Sequence, residues 1–208
     1  RVHADFGGDA ALARLRGRLR ERGLRLILDF VPNHMAPDHP WVAEHPDWFV
    51  AGNEELLAHQ PQNWARAATR TGGRVLAYGR DPYFDGWPDT FQLNYGSAAL
   101  QEAMLGELKR IATQCDGVRC DMAMLVLPEV FERTWGIASA PFWPRATSEV
   151  RAAAPGFLFL AEVYWDLEWT LQQQGFDYTY DKRLYDRLEH GAARPVREHL
   201  FASPDFQD

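Results

Sequence analysis

Cysteine is scarce: the 208 residues hold two, Cys115 and Cys120, which flank one predicted strand start and supply no disulfide framework. No apolar run reaches membrane-spanning length, so no transmembrane helix and no membrane partner are expected. Positive charge is in deficit, with 22 Lys+Arg against 29 Asp+Glu and a formal net charge of −7. A nucleic-acid surface needs a basic stripe, so that class of partner is excluded. Arginines do gather between Arg14 and Arg25, but the spacing of Leu12, Leu15, Leu19 and Leu24 makes that stretch an amphipathic helix with a solvated face. Repeats and low-complexity tracts are absent, and His39, His45 and His59 lack zinc-like spacing with carboxylates or cysteines. The chain opens at Arg1 without an initiator Met and stops at Phe206-Gln207-Asp208 without a closing helix or cap signal. It is therefore expected to be an internal section of a longer protein, and its compartment stays open.

What is present is an alternation of apolar runs and helical patterns, the sign of parallel βαβ units. Residues 9–23 read as a helix capped by Asp9 and closed by Gly23, followed by a nearly continuous apolar strand at 24–31. Ser97 opens a second helix with a stripe of Leu100, Met104, Leu105, Leu108 and Ile111. Strands are expected at 117–121 and 157–163, with a short fourth at 176–178, and helices at 128–135, 141–154, 167–174 and 181–189. The fold class is α/β, a partial (β/α)8 TIM barrel, because a complete one needs about 250 residues. Residues 1–34 and 97–208 are assigned to the barrel. The stretch 35–96, rich in Pro, Trp, His, Asn and Gly, is too long for a structureless loop and is assigned to an irregular subdomain inserted after a strand.

Three of the apolar runs end in a carboxylate: Asp29, Asp121 and Glu162. The C-terminal ends of parallel strands are where a βα-barrel places its chemistry. Because side chains alternate along a strand, Arg119 and Asp121 share a face, as do Leu158, Leu160 and Glu162, and Ile27, Asp29 and Val31. If these faces turn inward, Arg119 stands among three carboxylates and keeps one or more ionised. That pattern suits retaining glycoside hydrolysis, in which one carboxylate attacks and the other donates a proton. Asp121, beside Arg119, is the better nucleophile; Glu162, in the apolar company of Ala161, Val163, Tyr164 and Trp165, is expected to have a raised pKa and to act as acid/base. A purely structural set of buried ion pairs is the competing reading.

Residues 23–34, Gly-Leu-Arg-Leu-Ile-Leu-Asp-Phe-Val-Pro-Asn-His, resemble the first conserved region of the α-amylase family, glycoside hydrolase family 13. Residues 116–121, Asp-Gly-Val-Arg-Cys-Asp, resemble its second region, and Ala161-Glu162-Val163 its third. The resemblance covers nearly the whole chain as strands three to six of the barrel. It implies that Asp121 is the nucleophile, Glu162 the general acid/base, Arg119 the residue orienting the nucleophile and His34 a sugar-binding residue. It further implies that Asp29 is a structural partner of Arg119 and that Asn33 is a calcium ligand, with no cofactor required and calcium possible. The substrate would be an α-glucan or related oligosaccharide. The family's fourth region, a His-Asp pair after strand seven, has no counterpart here, and Met124 and Leu125 stand where many amylases carry a Lys-His pair.

Tyr164 and Trp165 directly follow the expected acid and are assigned to the leaving-group side of the site. Trp41, Trp48, Trp64, Trp87, Tyr83 and Phe84 are expected mostly in the core of the inserted stretch. Asp85, Asp89, Asn94 and Glu54 are expected in turns or solvent rather than on calcium. Tyr178, Tyr180, Asp181 and Lys182 are read as packing and ion-pairing residues first, substrate contacts second. The functional expectation is a retaining α-glucan hydrolase. Its alternatives are a transglycosylase of the same family and a sugar- or partner-binding barrel without catalysis.

Overall fold

A computed structural model describes residues 2–201. In chain order the strands are β1 (Ile27–Phe30), β2 (His34–Met35), β3 (Trp64–Thr69), β4 (Gly72–Ala77), β5 (Phe91–Gln92), β6 (Gly117–Cys120), β7 (Leu158–Ala161) and β8 (Tyr178–Thr179). The helices are α1 (Gly8–Arg20), α2 (Pro40–Glu44), α3 (Glu54–His59), α4 (Ala98–Ala112), α5 (Pro128–Trp135), α6 (Trp143–Ala153), α7 (Glu168–Gln173), α8 (Lys182–Glu189) and α9 (Ala193–Phe201). The expected barrel elements are all there, most of them shorter than the sequence pattern by a few residues. The fourth strand begins two residues later than expected, and α9 is a helix the sequence reading did not anticipate.

The fold is α/β. The four-stranded sheet is parallel, in the order β1-β6-β7-β8. Its register aligns Asp29, Arg119, Leu160 and Tyr178 in one row, and Phe30, Cys120, Ala161 and Thr179 in the next. One row further the ladder continues past the strand ends, where the Asp121 amide donates to Phe30, the Glu162 amide to Cys120 and the Tyr180 amide to Ala161. The strands are therefore cut to lengths that put Asp121, Glu162 and Tyr180 level with one another.

Alternation along these strands divides the sheet. Phe30, Val118, Cys120, Phe159 and Ala161 are buried in a core closed by Leu100, Met104 and Leu108 of α4 and by Trp143, Ala146 and Val150 of α6. On the opposite face Ile27 and Val31 are 41% and 36% exposed. Gly117 has no room for a side chain: a Cβ there would lie 2.7 Å from the Leu158 carbonyl oxygen and 2.7 Å from Ile27 Cδ1.

The stretch between β1 and α4 is not structureless. It holds the β2–β5 antiparallel pair, the β3–β4 hairpin and helices α2 and α3. Its buried residues Val42, Phe49, Trp64, Leu76 and Leu93 belong to the same apolar cluster as α4 and α6. Trp41, Trp48 and Trp87 are partly buried against that cluster, as expected, but Tyr83 and Phe84 are not core residues: they are 59% and 72% exposed.

The base of the sheet is fastened by Asp116. Its Oδ1 accepts from Arg16 Nη2 at 2.7 Å and Arg20 Nη2 at 2.8 Å, and its Oδ2 accepts from the Leu26 amide at 3.0 Å. Part of the arginine-rich face of α1 thus reaches the sheet instead of solvent. Partial burial raises the Asp116 pKa, but the bonds from Arg16, Leu26 and Arg20 outweigh it and hold the carboxyl well below the usual range. The Arg20 partner is 60% exposed and adds little.

Asp116→Asn is expected to cost about 2–3 kcal/mol at neutral pH, the scale of charge-assisted bonds in a part-buried site. A native pKa below the unfolded value of about 3.9 stabilises the fold above that pH, and the gain is lost as pH falls through the native value. The gap between wild type and variant should therefore close in acid, measured by denaturant titration at a series of pH values. The exposed Ile27 and Val31 and the edge strands β1 and β8 of the four-stranded sheet lead to a second expectation. Residues 1–208 expressed alone should self-associate; a monodisperse monomer on size-exclusion chromatography would refute it.

Candidate active site

Arg119 collects the strand-end carboxylates. Its Nη1 donates to Asp29 Oδ1 at 2.9 Å and to Asp121 Oδ1 at 2.8 Å, and its Nη2 to Glu162 Oε2 at 2.7 Å. Its Nε donates to the Tyr180 hydroxyl at 3.0 Å. Asp29, Arg119, Asp121 and Glu162 converge as the strand alternation required. Burial alone would depress the guanidinium's pKa, but the bonds to Asp29 and Tyr180 and the charges of Glu162 and Asp29 push it far above its ordinary value. Arg119 is a permanent cation.

Asp121 departs from expectation. Its pKa is raised, first by burial and then by repulsion from Glu162, and the Arg119 bond only offsets these. The sequence alone predicts a guanidinium that holds this carboxyl down. The physical difference is that one positive charge is divided among three carboxylates, two of them in the same small space.

Glu162 is also not in the apolar setting expected for it. Ala161 and Val163 are fully buried in the core on the other side of the strand, as alternation dictates. The Glu162 carboxylate itself accepts from Arg119, from the Met122 amide at 2.9 Å and from the Tyr164 hydroxyl at 2.7 Å. Burial first, then the bond to Glu162, pushes the Tyr164 phenol well above its usual pKa, so it stays a donor. Met122 adopts φ +43°, a left-handed conformation that turns its amide toward Glu162.

His34 lies on β2, outside the Arg119 hydrogen-bond network. Its ring meets Trp87 edge-to-face at 5.2 Å, and burial lowers its pKa against the opposing charge of Asp89. The backbone behind it is fixed: Gln92 Nε2 donates to the Asn33 carbonyl at 2.9 Å and the Tyr95 hydroxyl to the Pro32 carbonyl at 2.9 Å. A Cβ on Gly79 would come within 2.9 Å of His34 Cβ and 2.8 Å of Thr90 Oγ1, so glycine is required for that approach.

Asn33, the residue assigned to calcium, is 1% exposed and exchanges two hydrogen bonds with the Gln92 carboxamide. Among the described residues no three His, Cys, Asp or Glu side chains gather as ligands. A hard cation wants six or more oxygens, so the donor set is a poor fit for calcium.

Three contributors escaped the sequence reading. Tyr180, ranked there as packing, fixes Arg119. Gln92 braces Asn33, and the Met122 amide holds Glu162. Tyr180 stands one residue past β8 as Asp121 and Glu162 stand past theirs, a level that only the β7–β8 pairing fixes. Asp181 and Lys182 conform to ion pairing: Asp181 caps α8 and pairs with His199, and Lys182 pairs with Asp186. Glu54 pairs with Arg66, and Asn94 makes a turn to the Gly96 amide.

This geometry has relatives. The family model described as the alpha amylase catalytic domain matches residues 1–190. A Pseudomonas aeruginosa protein named alpha-1,4-glucan:maltose-1-phosphate maltosyltransferase is 44% identical over 166 residues, covering 78% of this chain and 20% of that protein. An Arcanobacterium haemolyticum protein of the same name is 29% identical over 177 residues, 83% of this chain and 21% of that protein. A Mycobacterium tuberculosis trehalose synthase/amylase is 28% identical over 186 residues, 78% of this chain and 29% of its own length. The chain thus spans about a fifth of the maltosyltransferases it matches. Among solved structures, an alpha-amylase from Lactobacillus plantarum superposes with TM-score 0.66 at 25% identity, over 96% of this chain and 43% of that one. With the family match running through β1, β6 and β7 and through Asp29, Asp121 and Glu162, the chain belongs to the alpha-amylase family, within its catalytic domain.

Proposed function

We propose that this chain carries the catalytic centre of a retaining enzyme that acts on α-glucosidic bonds in α-glucans or related oligosaccharides. The observation that supports it is one guanidinium hydrogen-bonded to both Asp121 and Glu162 at the ends of adjacent parallel strands. In this reading Asp121 attacks the anomeric carbon and the leaving oxygen takes a proton from Glu162. Water or an acceptor hydroxyl then displaces Asp121 and returns a proton to Glu162. Arg119 holds both carboxylates in place, Asp29 and Tyr180 hold Arg119, and Tyr164 orients Glu162. His34 and Trp165 flank the sugar on either side of the bond to be broken. Residues 35–96 are proposed to serve as the subdomain that builds the His34 side of the cleft. Calcium at Asn33 is not needed for any step.

Hydrolysis is the simplest outcome of such a site. Transfer to a sugar acceptor is the second reading, and the relatives named maltosyltransferase and trehalose synthase favour it. Both outcomes share one covalent intermediate, so the roles of Asp121 and Glu162 are the same in each.

In the full-length protein, Asp121→Asn should reduce turnover of maltooligosaccharides by on the order of 10³-fold or more. Glu162→Gln should lose natural glucans yet still release a fast burst of fluoride from α-maltosyl fluoride, whose leaving group needs no proton, with turnover after the burst slowed because the second step lacks its base. Proton NMR of the first product should show the α anomer. An inverted product, or full activity in Asp121→Asn, would sink the proposal.

The raised Asp121 pKa carries a stability consequence whose sign is opposite to that of Asp116. A carboxyl raised on folding stabilises the native state only below its unfolded pKa of about 3.9, and that contribution is lost as pH rises through the native value. Asp121→Asn should therefore melt at a higher temperature than wild type at neutral pH, with the difference vanishing in acid. Thermal scans at several pH values check this.

A further inference from the structure

Two successive amides of the segment that follows β6 grip Glu162. The Met122 amide donates to its Oε2 at 2.9 Å, and the Ala123 amide to its main-chain carbonyl at 2.9 Å. Adjacent N–H groups point the same way when a left-handed residue precedes a right-handed one, the arrangement that makes a nest for negative charge. Met122 supplies the left-handed half at φ +43° and ψ +46°, and Ala123 opens the short helical turn Ala123–Val126. A left-handed backbone is costly for a residue with a Cβ, so the surroundings must hold it.

Two hydrogen bonds and burial do so. The Met122 carbonyl accepts from the Leu125 amide at 2.9 Å, and residues 123–126 are all buried. The Ala123 carbonyl accepts from Trp143 Nε1 at 2.9 Å, and Trp143, on α6, is fully buried. A core indole thus anchors the peptide that touches the Glu162 carboxylate.

The two oxygens of that carboxylate are not treated alike. Oε2 accepts from Arg119 Nη2 at 2.7 Å and from the Met122 amide, which fills both its lone pairs with groups that only donate. Among the described residues Oε1 accepts from the Tyr164 hydroxyl alone, at 2.7 Å, and keeps a lone pair open. A proton therefore has room on Oε1 and none on Oε2.

We propose that the Met122 peptide, anchored by Trp143, assigns the catalytic proton of Glu162 to Oε1 and sets the pH at which that proton is lost. This rests on the retaining reading above. The Oε1 proton passes to the leaving oxygen as that oxygen's bond to the anomeric carbon breaks and Asp121 bonds to the carbon. In the second step the proton of the incoming hydroxyl returns to Oε1 as the bond to Asp121 breaks. Between the steps the Glu162 carboxylate is ionised, and the Met122 amide is one of the three donors that stabilise it. Met122 and Trp143 are positioning residues.

The titratable groups around Glu162 are Asp29 from β1, Arg119 and Asp121 from β6 and its end, Tyr164 after β7 and Tyr180 after β8. Arg119 stays charged and the Tyr164 phenol stays protonated across the working range, which leaves Asp121 and Glu162 to set the two limbs of a pH profile.

The test is the pH dependence of kcat/KM on maltooligosaccharides in the full-length protein, beside single-turnover fluoride release from α-maltosyl fluoride, which needs no proton from Glu162. An ester in place of the Met122 amide removes one donor from the ionised carboxylate, so Glu162 keeps its proton to higher pH. The alkaline limb should move up by about one pH unit while fluoride release keeps its rate and pH dependence. Trp143→Phe, which keeps an aromatic ring and removes the bond to Ala123, should move the limb the same way. Met122→Gly, which keeps both the amide and the left-handed backbone, should leave it in place. An alkaline limb at its wild-type pH in the ester variant overturns the assignment; if that variant does not fold, the same result in Trp143→Phe does so. An equal shift in Met122→Gly also overturns it, because the side chain and not the amide would then be responsible. A wild-type protein that releases no fluoride overturns the retaining reading itself, and this assignment with it.

Discussion

The guanidinium of Arg119 faces more negative charge than it carries. Asp29, Asp121 and Glu162 all take hydrogen bonds from it, and Tyr180 accepts from its remaining nitrogen. Everything else in the site adjusts to that deficit. Glu162 is supplied with two further donors, the Met122 amide and the Tyr164 hydroxyl. Asp29 is more than half exposed and can draw on solvent. Asp121 is given neither remedy, and its pKa rises.

Strand β6 shows the same residue type set to opposite ends. Asp116 stands before its first residue and is surplus in donors, from two arginines and an amide, so its ionised form stabilises the fold. Asp121 stands after its last residue and is short of donors, so its ionised form is a burden. The difference lies first in burial and in the charge of Glu162 at the Asp121 end, and then in how many N–H groups each end of the strand receives. The base of a parallel sheet can be tied down without limit, whereas the mouth has to leave room for a substrate.

The period-two alternation of three short runs was legible, and it correctly turned Asp29, Arg119, Asp121 and Glu162 to one face. Helix α4 was legible from Ser97 and its leucine stripe, and Ser97 does accept from the Leu100 amide. What stayed hidden depends on contacts between distant segments. The Glu162 environment was read from its neighbours along the chain, which lie on the other side of the strand, instead of its neighbours across the sheet. Tyr83 and Phe84 belong to an aromatic set that the sequence places mostly in the core; Asp81, hidden beneath the turn, holds these two rings outside. The position of Tyr180 needed the register of β7 with β8, which no single segment reveals.

Parallel pairing also fixes when such a site can exist. The partners of Arg119 lie 90 residues before it and 43 and 61 residues after it. A chain emerging from the ribosome exposes Asp29 and then Arg119 long before Glu162 is made, and Tyr180 is made last of all. Until then the guanidinium has neither its acid partner nor the hydroxyl that orients it. The Arg119 cluster is thus among the last features of this segment to assemble during synthesis.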